Sequence, residues 1–153
     1  MNDSVRILIA EDDAGHFVLV KKNLWRSCVQ SEIIHFVDGS VVLDFLFGTG
    51  TDPSIEMDCS YILLLDIRMP KIDGIEVLRR MKENPELRKI PVVMLTTTDD
   101  PEEIRRCYEA GCSFYIVKPS NYNDFMSCVE QLGAFLSLPS VKIPKVHGIG
   151  QKA

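Results

Sequence analysis

The sequence predicts an α/β domain: a doubly wound, five-stranded parallel sheet with helices on both faces. Five short β-rich runs alternate with five helical patterns, the order that βαβ units produce. The first, third and fourth runs are apolar almost throughout, as strands covered on both faces should be. The 153 residues, 46% of them hydrophobic, suit one domain that fills its own core.

The expected strands are Val5 to Ala10, Glu32 to Val37, Tyr61 to Leu65, Pro91 to Thr96 and Ser113 to Val117. The second is mixed in character, Glu32-Ile33-Ile34-His35-Phe36-Val37, which suits an edge strand. A first helix from about Gly15 to Cys28 has Phe17, Val20, Leu24 and Cys28 at helical spacing, with Lys21, Lys22 and Arg26 outside that stripe. Asp38 is the expected N-cap of a second helix that includes Val42, Leu43 and Leu46 and stops at Gly48. A long aperiodic connection follows to Asp58. The third helix turns Ile75, Leu78 and Met81 inward, and Asn84-Pro85 ends it. Its basic cluster Arg79-Arg80-Met81-Lys82 reads as a solvated face. Asp100-Pro101-Glu102-Glu103 opens the fourth helix with a cap, a proline at the first position and a glutamate three residues after the cap, and Gly111 closes it. The fifth runs from about Asn123 to Leu136 and buries Phe125, Val129, Leu132 and Leu136. From Ser137 onward, Pro139, Pro144 and two glycines mark a tail expected to be partly mobile.

A net charge of −5 argues against nucleic acid as a partner, because phosphate backbones select clustered Lys and Arg. No apolar stretch approaches the roughly 20 residues of a membrane span, and Met1-Asn2-Asp3-Ser4-Val5 has no features of a signal peptide, so a cytoplasmic location is expected. Five cysteines (Cys28, Cys59, Cys107, Cys112 and Cys128) with no CxxC pair suggest neither a disulfide framework nor a zinc site. They read as small buried apolar residues, with Cys59, in a polar loop, the most exposed.

The chemistry is expected where the strands end. Asp66 terminates the run Tyr61-Ile62-Leu63-Leu64-Leu65, and Glu11-Asp12-Asp13 terminates the first strand. Thr96-Thr97 follows the fourth strand and Lys118-Pro119 the fifth. Right-handed crossovers place all these ends on one rim, where ligands of such sheets bind. Carboxylates packed that closely repel unless a cation sits between them, and an all-oxygen donor set suits Mg²⁺. Metal, Lys and Thr around one carboxylate suit phosphoryl transfer onto that carboxylate, with Asp66 as nucleophile. Asp13 also has an ordinary reading as the N-cap of the first helix.

These pieces, Ile-Leu-Ile-Ala-Glu11-Asp12-Asp13, Leu-Leu-Leu-Asp66-Ile-Arg-Met-Pro70-Lys-Ile-Asp-Gly74, Val-Met-Leu-Thr96-Thr97 and Tyr115-Ile-Val-Lys118-Pro119, resemble the receiver domain of two-component response regulators. The resemblance implies the flavodoxin-like (βα)₅ strand order 2-1-3-4-5. It implies a receiver domain over 1–136, a short tail over 137–153 and no output domain. Asp66 is implied as the phosphorylation site, with Glu11, Asp12, Asp66 and the main-chain carbonyl of Arg68 around Mg²⁺. Thr96 and Lys118 are implied as phosphate-binding residues, Thr96 and Tyr115 as the switch pair, and a cis peptide before Pro119. Arg68 and Thr98 are expected to tune how fast the phosphoryl group is lost.

The implied function is that of a stand-alone signalling protein, not an enzyme in the ordinary sense, that assists its own phosphorylation and dephosphorylation. Its partners would be a sensor histidine kinase, of phytochrome type by the long loop and Phe36-Val37-Asp38-Gly39, and a downstream protein, a phosphotransfer protein or a second copy. An intermediate phosphorelay shuttle shares every one of these residues and stays open. A haloacid-dehalogenase-type phosphatase fits less well, since it wants an acid where Arg68 stands. A flavodoxin-like electron carrier also fits poorly, since Glu11-Asp12-Asp13 would repel a flavin phosphate.

Overall fold

Side chains alternate across a strand, so an apolar run covered on both faces divides its residues between two cores. Leu8, Ala10, Leu63, Leu65, Val92 and Met94 point to one side of the sheet and Ile7, Ile9, Ile62, Leu64, Val93 and Leu95 to the other. The computed structural model describes residues 5–26, 31–50 and 54–148. Their elements are β1 (Val5–Ala10), α1 (Ala14–Arg26), β2 (Ile33–Phe36), α2 (Gly39–Phe47), β3 (Cys59–Leu65), α3 (Gly74–Lys82), a 3₁₀ turn at Leu87–Lys89, β4 (Val92–Thr96), α4 (Pro101–Ala110), β5 (Phe114–Val117), α5 (Tyr122–Leu136) and β6 (Lys145–Val146). The sheet order is β2-β1-β3-β4-β5 with every neighbouring pair parallel, as expected, and the mixed strand β2 lies at an edge. Residues of α2, α3 and α4 cover the first core, and residues of α1 and α5 cover the second. Among the described residues no helix is long and apolar enough to cross a membrane.

The helix boundaries follow their local chemistry. Asp38 caps α2 by accepting from the Val41 amide, and Gly48 ends it in the left-handed region at φ 67°. Asp73 caps α3 by accepting from the Glu76 amide. Asp100 caps α4 and Gly111 closes it at φ 105°. Glu103, however, does not complete a reciprocal box. The Asp100 amide donates to Thr98 Oγ1, and Glu103 pairs instead with Arg68.

Several expectations need correction. The inward stripe of α3 is Gly74, Val77, Leu78 and Met81, with Ile75 only half-buried, because the close approach of Gly74 to the Asp66 backbone turns the face through 74, 77, 78 and 81 inward. In α1, Asn23 joins Val20 and Leu24 in the core while Phe17 is half-buried; Cys28 lies outside the described residues. Leu132 and Leu136 are half-buried, whereas Phe125 and Val129 are fully inside. Cys59 opens β3 half-buried, while Cys107 and Cys112 are buried. No cis peptide occurs among the described residues, so the Lys118–Pro119 bond takes the lower-energy trans form.

The tail is also more ordered than its prolines suggest. On the β4 side, β3 has no parallel partner before Leu63, and β6 fills that gap by pairing antiparallel with Cys59 and Ser60. Val146 is fully buried, Ser60 Oγ donates to the Ile143 carbonyl at 2.8 Å, and the His147 amide donates to Glu86 Oε1 at 2.8 Å.

Candidate functional site

Sheet hydrogen bonds continue past the strand ends into the residues of the rim. The Glu11 amide donates to Phe36 O at 2.9 Å, the Asp66 amide to Ala10 O at 3.1 Å, and the Lys118 amide to Thr96 O at 2.7 Å. Glu11, Asp66 and Lys118 therefore stand on backbone as rigid as the sheet itself. Asp13 caps α1, accepting from the His16 amide at 3.1 Å, so the chain leaves β1 in a tight turn that carries Asp12 outward.

After β3 the chain folds back on Asp66. The Gly74 amide donates to Ile67 O at 2.8 Å, and a Cβ on Gly74 would lie 2.1 Å from the Asp66 carbonyl oxygen. Only glycine allows this approach. A Cβ on Gly39 would meet the Ile72 carbonyl oxygen at 1.9 Å, so glycine also allows α2 to close against the same loop. The Arg68 amide donates to Asp66 Oδ1 at 3.3 Å, which sets the Arg68 backbone beside the carboxylate. The Arg68 side chain is exposed and reaches Glu103 Oε1 at 3.6 Å.

The expected acids converge. One carboxylate oxygen each from Glu11, Asp12 and Asp66 lies within 4.8 Å of the others. Glu11 is buried, Asp66 half-buried and Asp12 exposed, so the cluster is closed beneath and open to solvent above. Lys118 enters from β5 with its side chain only 4% exposed. Its ammonium donates to Glu11 Oε1 and lies 3.4 Å from Asp66 Oδ2. Burial pushes the Glu11 carboxyl up to about 7, with the charge of Asp66 adding to it, against the downward pull of the Lys118 ammonium. Such a carboxyl gains from a further cation, and three oxygen donors with an open side fit a hard divalent ion that keeps several waters.

Thr96 ends β4 fully buried, and its hydroxyl has no hydrogen-bond partner among the described residues, an arrangement that costs free energy unless something else supplies one. Tyr115 is half-buried. Its hydroxyl donates to the Thr98 carbonyl at 2.8 Å and its amide to the Tyr108 hydroxyl at 3.1 Å, tying β5 to the loop after β4 and to α4.

Two histidines join the rim without any motif to mark them. His16 Nδ1 lies 3.2 Å from Lys118 Nζ and 3.6 Å from Glu11 Oε1. His35 Nε2 lies 2.7 Å from the Glu11 carbonyl oxygen, and its ring stacks on Phe17 with centroids 3.8 Å apart. One sits on a helix and the other on an edge strand, where histidine is unremarkable in sequence. Only their distance to Glu11 and Lys118 sets them apart.

The chain as a whole is similar to proteins of one known family. The family model described as response regulator receiver domain matches residues 7–130. A response regulator receiver domain from Rhodospirillum rubrum of known crystal structure is 43% identical, with a TM-score of 0.86 over 94% of this chain and 99% of that one. Response regulator Rcp1 of Synechocystis sp. is 34% identical over 138 residues, 90% of this chain and 92% of Rcp1. The crystal structure of its Mn²⁺-bound form matches with a TM-score of 0.80 over 92% of this chain and 99% of that one. The phosphorylated cyanobacterial phytochrome response regulator RcpA is 29% identical, with a TM-score of 0.80 over 93% and 99% of the two chains.

Proposed function

The chain belongs to the response regulator receiver family of two-component systems, and from that membership we propose that it takes a phosphoryl group on Asp66 from a phosphohistidine of a sensor kinase. The observation that carries the reading is the convergence of Glu11, Asp12 and Asp66 to within 4.8 Å, with Lys118 bonded to two of them.

In the proposed step an Asp66 oxygen attacks phosphorus in line, the phosphorus–nitrogen bond breaks, and the kinase imidazole leaves with the electron pair. Glu11, Asp12, Asp66 and the Arg68 carbonyl would hold Mg²⁺, which supplies charge neutralisation for the transferring group. Lys118 exchanges its contact with the Asp66 carboxylate for a phosphoryl oxygen, and the partnerless Thr96 hydroxyl donates to another. The added charge of roughly −1.5 to −2 is read out through Thr96 and Tyr115 by the surface of α4, β5 and α5. The same residues assist later hydrolysis of the aspartyl phosphate, at a rate tuned by Arg68 and Thr98.

The kinase is of phytochrome type, a reading supported by the likeness to RcpA along nearly the whole chain, and the exchange takes place in the cytoplasm. The output is a protein contact: a downstream target, a phosphotransfer protein or a second copy. Tyr108 of α4 and Phe114 of β5 are exposed there and suit such a contact.

The test is incubation with Mg²⁺ and acetyl phosphate, read by intact mass and a phosphate-affinity gel. Wild type should gain one base-labile phosphoryl group and Asp66→Asn none. An unmodified wild type, or an Asp66→Asn protein that is still modified, overturns the assignment.

A further inference from the structure

The ammonium of Lys118 has three protons to donate, and its surroundings hold three acceptors: Glu11 Oε1, Asp66 Oδ2 at 3.4 Å and His16 Nδ1 at 3.2 Å. At 4% side-chain exposure, water has little room to replace any of them. An ammonium has no lone pair, so in a hydrogen bond between the two Nδ1 is the acceptor. The backbone and one neighbouring ring place the imidazole there. The His16 amide is fixed by the cap on Asp13 at 3.1 Å, and the ring meets Phe125 edge-on with centroids 6.4 Å apart.

We infer that His16 is a positioning residue for Lys118, keeping the ammonium supplied with an acceptor when a divalent cation claims Glu11 and Asp66. This rests on the reading of the three acids as the cation site. The same two carboxylates are asked to serve the metal and the lysine. With His16 present, the ammonium gives up Glu11 and keeps a neutral partner that no cation of this kind displaces. Without it, a buried ammonium must either hold on to Glu11, in competition with the metal, or go short of acceptors. The consequence is a weaker cation site, even though His16 itself ligates nothing.

The comparison is of wild type, His16→Leu and His16→Gln, whose side-chain carbonyl can again accept from Lys118. Mg²⁺ affinity of the unphosphorylated proteins is measured by titration calorimetry, with thermal melting followed in metal-free buffer. Loss of one hydrogen bond to a charged group should raise the Mg²⁺ dissociation constant of His16→Leu roughly tenfold. His16→Gln should recover most of that, and in metal-free buffer His16→Gln should melt with wild type and His16→Leu somewhat below both, since the third acceptor is missing there too. His16→Ala provides the same readout should the leucine variant fold poorly. Wild type that binds Mg²⁺ while His16→Leu binds it equally well overturns the role of His16. So does an equal loss in the leucine and glutamine variants. Wild type that binds no Mg²⁺ overturns the cation-site reading as well, and so separates the two failures.

Discussion

The Tyr115 hydroxyl donates to the Thr98 carbonyl at 2.8 Å, so β5 and the loop after β4 are joined by a side chain as well as by the sheet. The phenol sits half-buried among Glu103, Asp100, Asp66 and Cys107, and burial, with the negative charges near it, pushes it up to about 12.

An alkaline titration followed by tyrosinate absorbance should therefore show one phenol ionising about two pH units above an ordinary tyrosine. Tyr115→Phe should remove that phase and no other. A raised phenol means that the folded state holds the proton longer, so this contribution to stability is intact below pH 10 and is lost as pH rises from 10 through about 12. Denaturation midpoints at pH 9 and pH 11.5 should converge between wild type and Tyr115→Phe at the higher pH.

Thr96→Val keeps the shape of the side chain and removes a buried hydroxyl that has no partner among the described residues. The unphosphorylated protein should gain about 1 kcal/mol in urea denaturation. Acetyl phosphate should still modify Asp66, but the valine cannot donate to the phosphoryl group, so the modified protein should show a smaller change in hydrogen exchange over α4 and β5. A destabilised valine variant would mean that the hydroxyl is satisfied in solution.

Gly74→Ala is expected to be severe although alanine favours helices. The new Cβ would lie 2.1 Å from the Asp66 carbonyl oxygen and 2.9 Å from Ile67 Cα, both backbone atoms that cannot rotate away. The cost should be about 3 kcal/mol, since backbone must shift to relieve the overlap. Phosphorylation should fall with it, because the displaced atom belongs to Asp66, the proposed acceptor. Ser54→Ala, exposed on the long loop, is the control and should change neither.

Truncation after Ser140 removes β6 and the buried Val146, along with Val141 and Ile143, which line an apolar cavity of about 180 Å³ with Leu132 and Leu136. Stability should drop by about 3 kcal/mol, the worth of one to two buried aliphatic side chains. Phosphorylation of the folded fraction should persist, because β6 braces the start of β3 and Asp66 stands beyond its far end. Loss of phosphorylation without loss of stability would show that the tail acts on the rim.

The family and its rim were legible because the signals are local. A strand that ends on Asp66, a Pro and an Asp-Gly turn after it, and Lys118 followed by Pro119 are each complete within a few residues. The capping residues Asp13, Asp38 and Asp100 are short-range in the same way, each accepting from an amide two or three positions on. Glu103 marks where that kind of reasoning stops. Its position three residues after Asp100 suggested a reciprocal cap, but Arg68, from another loop, takes one oxygen, and the other is buried without a hydrogen-bond partner among the described residues.

From sequence alone came the order of five strands and five helices, the edge position of β2, and the acids, Thr96 and Lys118 at the strand ends. Periodicity and turn chemistry encode those directly. Tertiary structure alone decided the spacing of the carboxylates, the trans bond before Pro119, the strand made by the tail, and the third partner of Lys118. His16 and Lys118 are 102 residues apart in the chain, and their contact depends on how α1 and β5 pack around β1 and β4. Periodicity tells which face a residue occupies; it contains no distance between faces that different elements bring together.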